Sequence, residues 1–193
     1  MGWRPGSRAR AERVEHADHV ALLRPGVPPG GSWADLGAGE GAFTLALADL
    51  LGPGGRIVAV DRDRRALQRN AAVVAERFPA TVHETLVADL TGPLDVGGIE
   101  GLDGIVAANS LHYVPTDRQA DVVRGLTGLL KPGARFVIVE YDAERGNPWV
   151  PHPISHRAWE WIAMAAGLAD TRLIGRVPSR FLGSIYSAVS RLP

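Results

Sequence analysis

The sequence predicts an α/β fold, doubly wound, with a mostly parallel sheet and helices on both faces. Three observations carry this expectation. Short β-like runs alternate with amphipathic helical stretches along the chain, the pattern of parallel strands joined by crossover helices. A glycine-rich turn, Asp35-Leu36-Gly37-Ala38-Gly39-Glu40-Gly41, stands between the first strand-like run and the helix after it. Polar side chains close the next three strand-like runs, as Asp61, Asp89 and Asn109.

Residues 11–23 carry Val14, Ala17, Val20 and Ala21 at helical spacing, which predicts an amphipathic helix. Pro25, Pro28 and Pro29 with Gly26, Gly30 and Gly31 end it and form a linker. The first strand is Ser32 to Leu36. Ala42 to Leu51 is a helix, stopped by Gly52-Pro53-Gly54-Gly55. Arg56 to Val60 is the second strand. Asp63 to Phe78 is a helix with Asp63 as its N-cap and Pro79 just past its end. The third strand is Thr81 to Ala88 and the fourth Gly101 to Ala107, with a loop over Thr91 to Gly98. Thr116 and Gln119 read as a capping box for a helix that buries Val122, Val123, Leu126, Leu129 and Leu130. Lys131-Pro132-Gly133 turns into the fifth strand, Phe136 to Glu140. An irregular loop, Asp142 to Pro153, leads to a helix over Ser155 to Ala166, closed by Gly167. Strands over Thr171 to Val177 and Ser184 to Ser190 finish the chain as a pair. One domain over residues 1–193 follows, with residues 1–31 as an N-terminal helix and linker.

Composition narrows the function. At 193 residues the chain has room for one sizeable core. Basic and acidic residues number 21 each, so formal net charge is zero. No global basic field exists to hold a polyanion, which disfavours a large nucleic-acid partner. The absence of cysteine removes disulfides, thiolate metal sites and cysteine nucleophiles, and suits a reducing cytoplasm. No apolar run approaches the ~20 residues of a bilayer span. The basic stretch Met1 to Arg13 lacks the apolar centre of a secretory signal. No histidine and carboxylate set has ligand spacing, so no metal is expected.

The chemistry gathers at the strand ends. Glycine permits a tight turn and a close approach of backbone to ligand. The helix behind such a turn presents unpaired N–H groups and a partial positive charge. Asp61 follows Gly41 by 61 − 41 = 20 residues, where an acidic side chain can accept hydrogen bonds from both ribose hydroxyls of a nucleoside. Asp89 ends the third strand and can accept from an exocyclic amine. Asn109 follows the fourth strand, within Ala107-Ala108-Asn109-Ser110-Leu111-His112-Tyr113. All four elements fall on the carboxyl edge of the sheet, where ligands of such folds bind.

In these motifs the chain resembles the class I S-adenosylmethionine-dependent methyltransferases over nearly its whole length. The resemblance implies a Rossmann-like, seven-stranded sheet closed by a C-terminal antiparallel strand pair. It implies S-adenosylmethionine as cofactor and S-adenosylhomocysteine as product. Asp35, Gly37, Ala38, Gly39 and Gly41 match the first motif, with Gly37 to Gly41 against the methionine part and ribose. Asp61 matches the ribose-holding acid, and Arg62 would pack beside the adenine. Asp89 and Leu90 match the adenine-contacting position. Asn109 would lie by the methionine part and the substrate. Leu130-Lys131-Pro132-Gly133-Ala134 resembles the turn before the fifth strand of small-molecule members.

Two rivals stay open. A nicotinamide dehydrogenase has the fingerprint Gly-x-Gly-x-x-Gly, but here the third glycine comes one residue early, as Gly41. A sensor or accessory protein would bind S-adenosylmethionine without transferring its methyl.

The acceptor is expected to be a small molecule. Asn109-Ser110-Leu111-His112 lacks the prolines common in amino methylation of nucleic-acid bases, and cytosine C5 methylation needs a cysteine. Candidate acceptor-side residues are Tyr113, Tyr141, Trp149, His152 and Arg180. His112 is the best-placed general base, with a structural or substrate-shaping histidine as the other reading; His152, His156 and Tyr141 are further candidates. Glu140 is either at the cleft edge or a solvated strand terminus. Trp149 is either a flat wall for an acceptor or, with Trp159, core filling. His16 and His19 lie on the first helix, as solvated surface or as a cover for the substrate.

Overall fold

A computed structural model of the chain describes residues 16–90, 92, 99–179 and 182–193. Its strands are β1 (Ser32–Leu36), β2 (Arg56–Asp61), β3 (Val82–Val87), β4 (Leu102–Ala108), β5 (Leu130–Tyr141), β6 (Ala169–Pro178) and β7 (Ser184–Arg191). Its helices are α1 (residues 16–23), α2 (Ala42–Leu51), α3 (Arg64–Arg77), α4 (Gln119–Thr127) and α5 (His156–Ala165). The seven strands form one sheet in the order β3-β2-β1-β4-β5-β7-β6. β1 pairs in parallel with β2 and β4, and β2–β3 and β4–β5 are also parallel. β7 runs antiparallel to both β5 and β6. The fold is the α/β architecture expected, C-terminal antiparallel pair included.

The order of the strands positions the site. The chain starts at the middle of the sheet, winds outward through β2 to β3, then returns across β1 to β4. That reversal is the switch point at which the loops after β1 and β4 part and leave a crevice. β1, β2 and β4 are almost wholly buried, as strands covered on both faces must be. Along β5, Phe136 and Ile138 join the core under α4 and α5, while Val137 and Val139 join the core under α1 and α2. That alternation is the period of two of an extended strand. Gly104 of β4 is fixed by packing: a Cβ there would lie 2.3 Å from the Trp33 ring.

Asp63 caps α3 as expected, accepting from the amides of Arg65 (2.8 Å) and Ala66 (3.2 Å). These two bonds hold its carboxyl below the usual range.

Three local expectations are corrected. The capping box does not form. Residues Thr116–Arg118 make a 3-10 turn, and α4 begins at Gln119 with no side-chain cap. Gln119 is buried, and its amide donates instead to the carbonyls of Val114 (3.2 Å) and His152 (3.0 Å). Two buried carbonyls in need of donors outcompete one helix-start amide that water can reach. β5 begins at Leu130 rather than Phe136, because Leu130 pairs with Leu102 and the register shift between Leu102 and Gly104 absorbs Lys131 to Gly133. α1 buries Val20, Leu22 and Leu23, whereas Ala17 and Ala21 face outward. The bulkier side chains win the core face because they bury more apolar area. Val14 lies outside the described residues, as do Thr91 and residues 93–98 of the expected loop. No helix among the described residues is long and apolar enough to cross a membrane.

Candidate functional site

The turn after β1 is tied to its neighbours at three points. Gly37 and Ala38 donate to the Val60 carbonyl at 2.8 and 3.0 Å, which couples the turn to the end of β2. Gly37 has φ +75°, and a Cβ there would sit 2.3 Å from Ser110 Cβ. The turn therefore packs directly on the loop after β4. Asp61, the last residue of β2, accepts from the amide of Gly39 with Oδ2 and from that of Asp63 with Oδ1, both at 2.8 Å. A carboxylate has about four acceptor positions, so both oxygens keep capacity for a diol.

Asp35 lies beneath the turn. It is buried and accepts from the Thr44 hydroxyl at 2.5 Å. Asn70 of α3 donates to that same hydroxyl (2.8 Å) and to the Gly39 carbonyl (3.4 Å). Burial pushes the Asp35 carboxyl up to about 7; the Thr44 hydrogen bond opposes the shift and neighbouring Asp61 adds to it.

A first cleft of about 220 Å³ opens at the switch point, lined by Gly37, Asp61, Arg62, Ala88, Asp89, Leu90, Asn109, Ser110 and Tyr113. Of the residues expected at a cofactor, Gly37, Asp61, Arg62, Asp89, Leu90 and Asn109 meet here. Asp35, Ala38, Gly39 and Gly41 do not line it; they shape the turn from behind. Two polar atoms of residues that line this cleft, Asn109 Oδ1 and Ser110 Oγ, are buried with no hydrogen-bond partner among the described residues. Asn109 also holds a left-handed backbone, φ +50°. Strained backbone and orphaned polar atoms together mark a place built for a polar ligand.

A second cleft, of about 310 Å³, is lined by Asn109, His112, Tyr113, Tyr141, Trp149 and Val150. It shares Asn109 and Tyr113 with the first. The His112 ring lies 4.4 Å from the Tyr113 ring and 5.9 Å from that of Tyr141. Burial, then Glu140, then Tyr113 raise the Tyr141 phenol above its ordinary value. Trp149 is 78% exposed, so it is a wall and not core; Trp159 is fully buried. His152 donates its backbone amide to the His112 carbonyl and lines neither cleft. His156 likewise lines neither, packing its ring on Tyr186. Arg180 lies outside the described residues. His16 pairs with Asp49 (3.2 Å) and His19 stacks on Phe43 (4.4 Å), so α1 is held on α2 and lines neither cleft.

Glu140 is the residue that sequence reasoning undervalued. It is fully buried, not solvated, and bonds His112 Nδ1 at 2.7 Å. Its other oxygen accepts the amides of Ser110 (3.1 Å) and His112 (3.2 Å). The signal was present: one acid closes a run of buried apolar residues, and such an acid needs partners.

Comparison with known proteins agrees with this geometry. A family described as a methyltransferase domain matches residues 34–136. A probable cobalt-precorrin-6B C(15)-methyltransferase (decarboxylating) of Thermoplasma volcanium is 29% identical over 119 residues, covering 62% of this chain and 55% of that protein. A ribosomal RNA small subunit methyltransferase H of Acidovorax sp. is 40% identical over 184 residues, covering 86% of this chain and 59% of that protein. The chain spans about half the length of the first curated relatives it matches. Among solved structures, a SAM-dependent methyltransferase of Aquifex aeolicus matches with a TM-score of 0.70 at 20% identity, covering all of both chains. A Burkholderia thailandensis 1,6-didemethyltoxoflavin-N1-methyltransferase, with 1,6-didemethyltoxoflavin and S-adenosylhomocysteine bound, matches with a TM-score of 0.70 at 18% identity, over 97% of this chain and 82% of that one.

Proposed function

The chain belongs to the class I S-adenosylmethionine-dependent methyltransferase family, and from that premise we propose that it transfers the sulfonium methyl to a small-molecule acceptor by in-line displacement. The observation that carries this reading is the pair of clefts joined at Asn109 and Tyr113. The first is lined by two carboxylates, Asp61 and Asp89; the second is aromatic. Bound in the first cleft, S-adenosylmethionine supplies an electrophilic methyl group.

The chain's own residues then do the positioning. Asp61 takes the ribose hydroxyls, Arg62, Asp89 and Leu90 flank the adenine, and Asn109 and Ser110 receive the methionine part. The turn from Gly37 to Gly41 sets the depth at which these groups sit. Tyr113, Tyr141 and Trp149 hold the acceptor in the second cleft. Orienting two reactants in this way is worth up to about 7–11 kcal/mol in favourable cases.

Calorimetric titration with S-adenosylmethionine and S-adenosylhomocysteine tests the first cleft. Wild type should bind both. Asp61→Ala should weaken binding roughly 100-fold or more, since two hydrogen bonds to a charged group contribute about 1.5–3 kcal/mol each. Absence of binding by folded wild type would sink the reading. Binding without turnover of any acceptor would favour a sensor. The relatives named as ribosomal RNA methyltransferases raise RNA as a second acceptor class, and incubating isolated small ribosomal subunits with labelled cofactor decides it.

A further inference from the structure

Glu140 Oε1 accepts two backbone amides, those of Ser110 and His112, and Oε2 lies 2.7 Å from His112 Nδ1. The amide donors on Oε1 suit a carboxylate, and a carboxylate can only accept at Oε2. It follows that His112 Nδ1 carries a proton and points it at Glu140 Oε2. The neutral ring then has its lone pair on Nε2, and the ring lines the second cleft. The two backbone bonds also tie Glu140 to the loop after β4, which carries Asn109 and the ring.

We propose that Glu140 is a positioning residue that sets His112 as a proton acceptor, and that the second cleft takes a planar aromatic acceptor bearing a phenolic hydroxyl. This rests on the first cleft holding S-adenosylmethionine. The flat walls of Tyr113, Tyr141 and Trp149 favour an aromatic ring. A neutral amine already carries its lone pair and needs no base. A phenol, with a pKa near 10, becomes a strong nucleophile by losing its proton, and a neutral imidazole is a closer match to it than to an aliphatic alcohol. In the step, the O–H bond breaks as Nε2 takes the proton. The oxygen lone pair forms the bond to the methyl carbon, and the carbon–sulfur electron pair stays on sulfur. The products are a methyl aryl ether, S-adenosylhomocysteine and an imidazolium whose charge Glu140 offsets; water then removes the proton.

The first test needs no ligand. In protein labelled with 15N-histidine, the His112 signal, assigned by its loss in His112→Gln, should show Nδ1 protonated and Nε2 bare. In Glu140→Gln the single amide oxygen serves the two backbone donors and the NH2 faces the ring, so the proton should move to Nε2. A wild-type ring protonated on Nε2 overturns the proposal, even if Glu140→Gln fails to fold. A variant that folds and keeps the wild-type tautomer overturns the role of Glu140. The second test compares phenol with 4-nitrophenol. Both variants should lower kcat on phenol roughly 100-fold or more, and less on 4-nitrophenol, which releases its proton more readily. Equal losses overturn the base role. Protein that binds S-adenosylhomocysteine yet methylates no simple phenol overturns the acceptor class, whereas failure to bind it indicts the cofactor site, and the tautomer still decides Glu140.

Discussion

The two clefts are neighbours that share two residues, yet they are built from different materials. The first is made mostly of backbone and strand ends. Gly37 lies against Ser110, and Asp61 holds the amides of Gly39 and Asp63. Its geometry follows from the winding of the sheet, which brings the ends of β1, β2, β3 and β4 to one edge. The second is walled by side chains from three segments: His112 and Tyr113 beyond Asn109, Tyr141, and Trp149 with Val150. No backbone rule places them. A cleft of the first kind tolerates little change anywhere in its turn, whereas one of the second kind can exchange a wall and keep its frame.

The largest effect should come from Gly37→Ala. The new Cβ would fall 2.3 Å from Ser110 Cβ, at a residue with φ +75°. The left-handed backbone alone costs about 1–2 kcal/mol, and the overlap forces the two loops that frame the first cleft apart. Affinity for S-adenosylhomocysteine should fall by roughly 100-fold or more, a loss of about 3 kcal/mol, with a lower melting temperature. Gly39→Ala is the control: its Cβ would meet nothing within 4 Å, so only backbone strain remains. Equal effects of the two changes would mean that contact with Ser110 does not set the cleft.

This contrast also explains how much the sequence revealed. The turn, Asp61, Asp89 and Asn109 were readable because each ends a strand, and strands are visible as apolar runs with a fixed direction of winding. Their shared edge needed no side-chain geometry. Glu140 was different. A strand end reads as solvated until the loop after β4 is known to fold over it, and that folding depends on Ser110 and His112 offering their amides. Gln119 misled for the same reason. Its spacing from Thr116 is that of a capping box, but the donors needed by Val114 and His152 come from tertiary contacts 5 and 33 residues away.

Asp35 gives a smaller and pH-dependent effect, because it supports the first cleft from below. Its folded-state pKa is about 7, against 3.8 for the ordinary group. Between these values the folded protein keeps a proton that the unfolded chain has released. Stability is then lost as pH rises, by about 1.4 kcal/mol per unit and about 4 kcal/mol in total. Below pH 4 both states are protonated, and above about 7 both are ionised, so the loss is confined to that window. Asp35→Asn can still accept from Thr44 and has no such window. In urea melts, the variant should gain on wild type from pH 5 to pH 7 and hold a constant difference beyond. A difference that does not vary with pH would show that Asp35 is already ionised in the folded protein at pH 5.

The smallest effect should come from the most exposed wall. Trp149 is 78% exposed, and its backbone amide, which donates to Asn147 Oδ1 at 2.9 Å, survives any substitution but proline. Trp149→Ala therefore removes a ring without removing a packed atom or a turn. Stability should stay within about 0.5 kcal/mol of wild type, and S-adenosylhomocysteine affinity should not change. The acceptor loses one aromatic face, a contact worth about 0.5–1.5 kcal/mol, so its KM should rise up to roughly tenfold. An unchanged KM would place the acceptor outside the second cleft. A fall in S-adenosylhomocysteine affinity would erase the boundary between the two clefts, since a side chain that touches only the second would then be shaping the first.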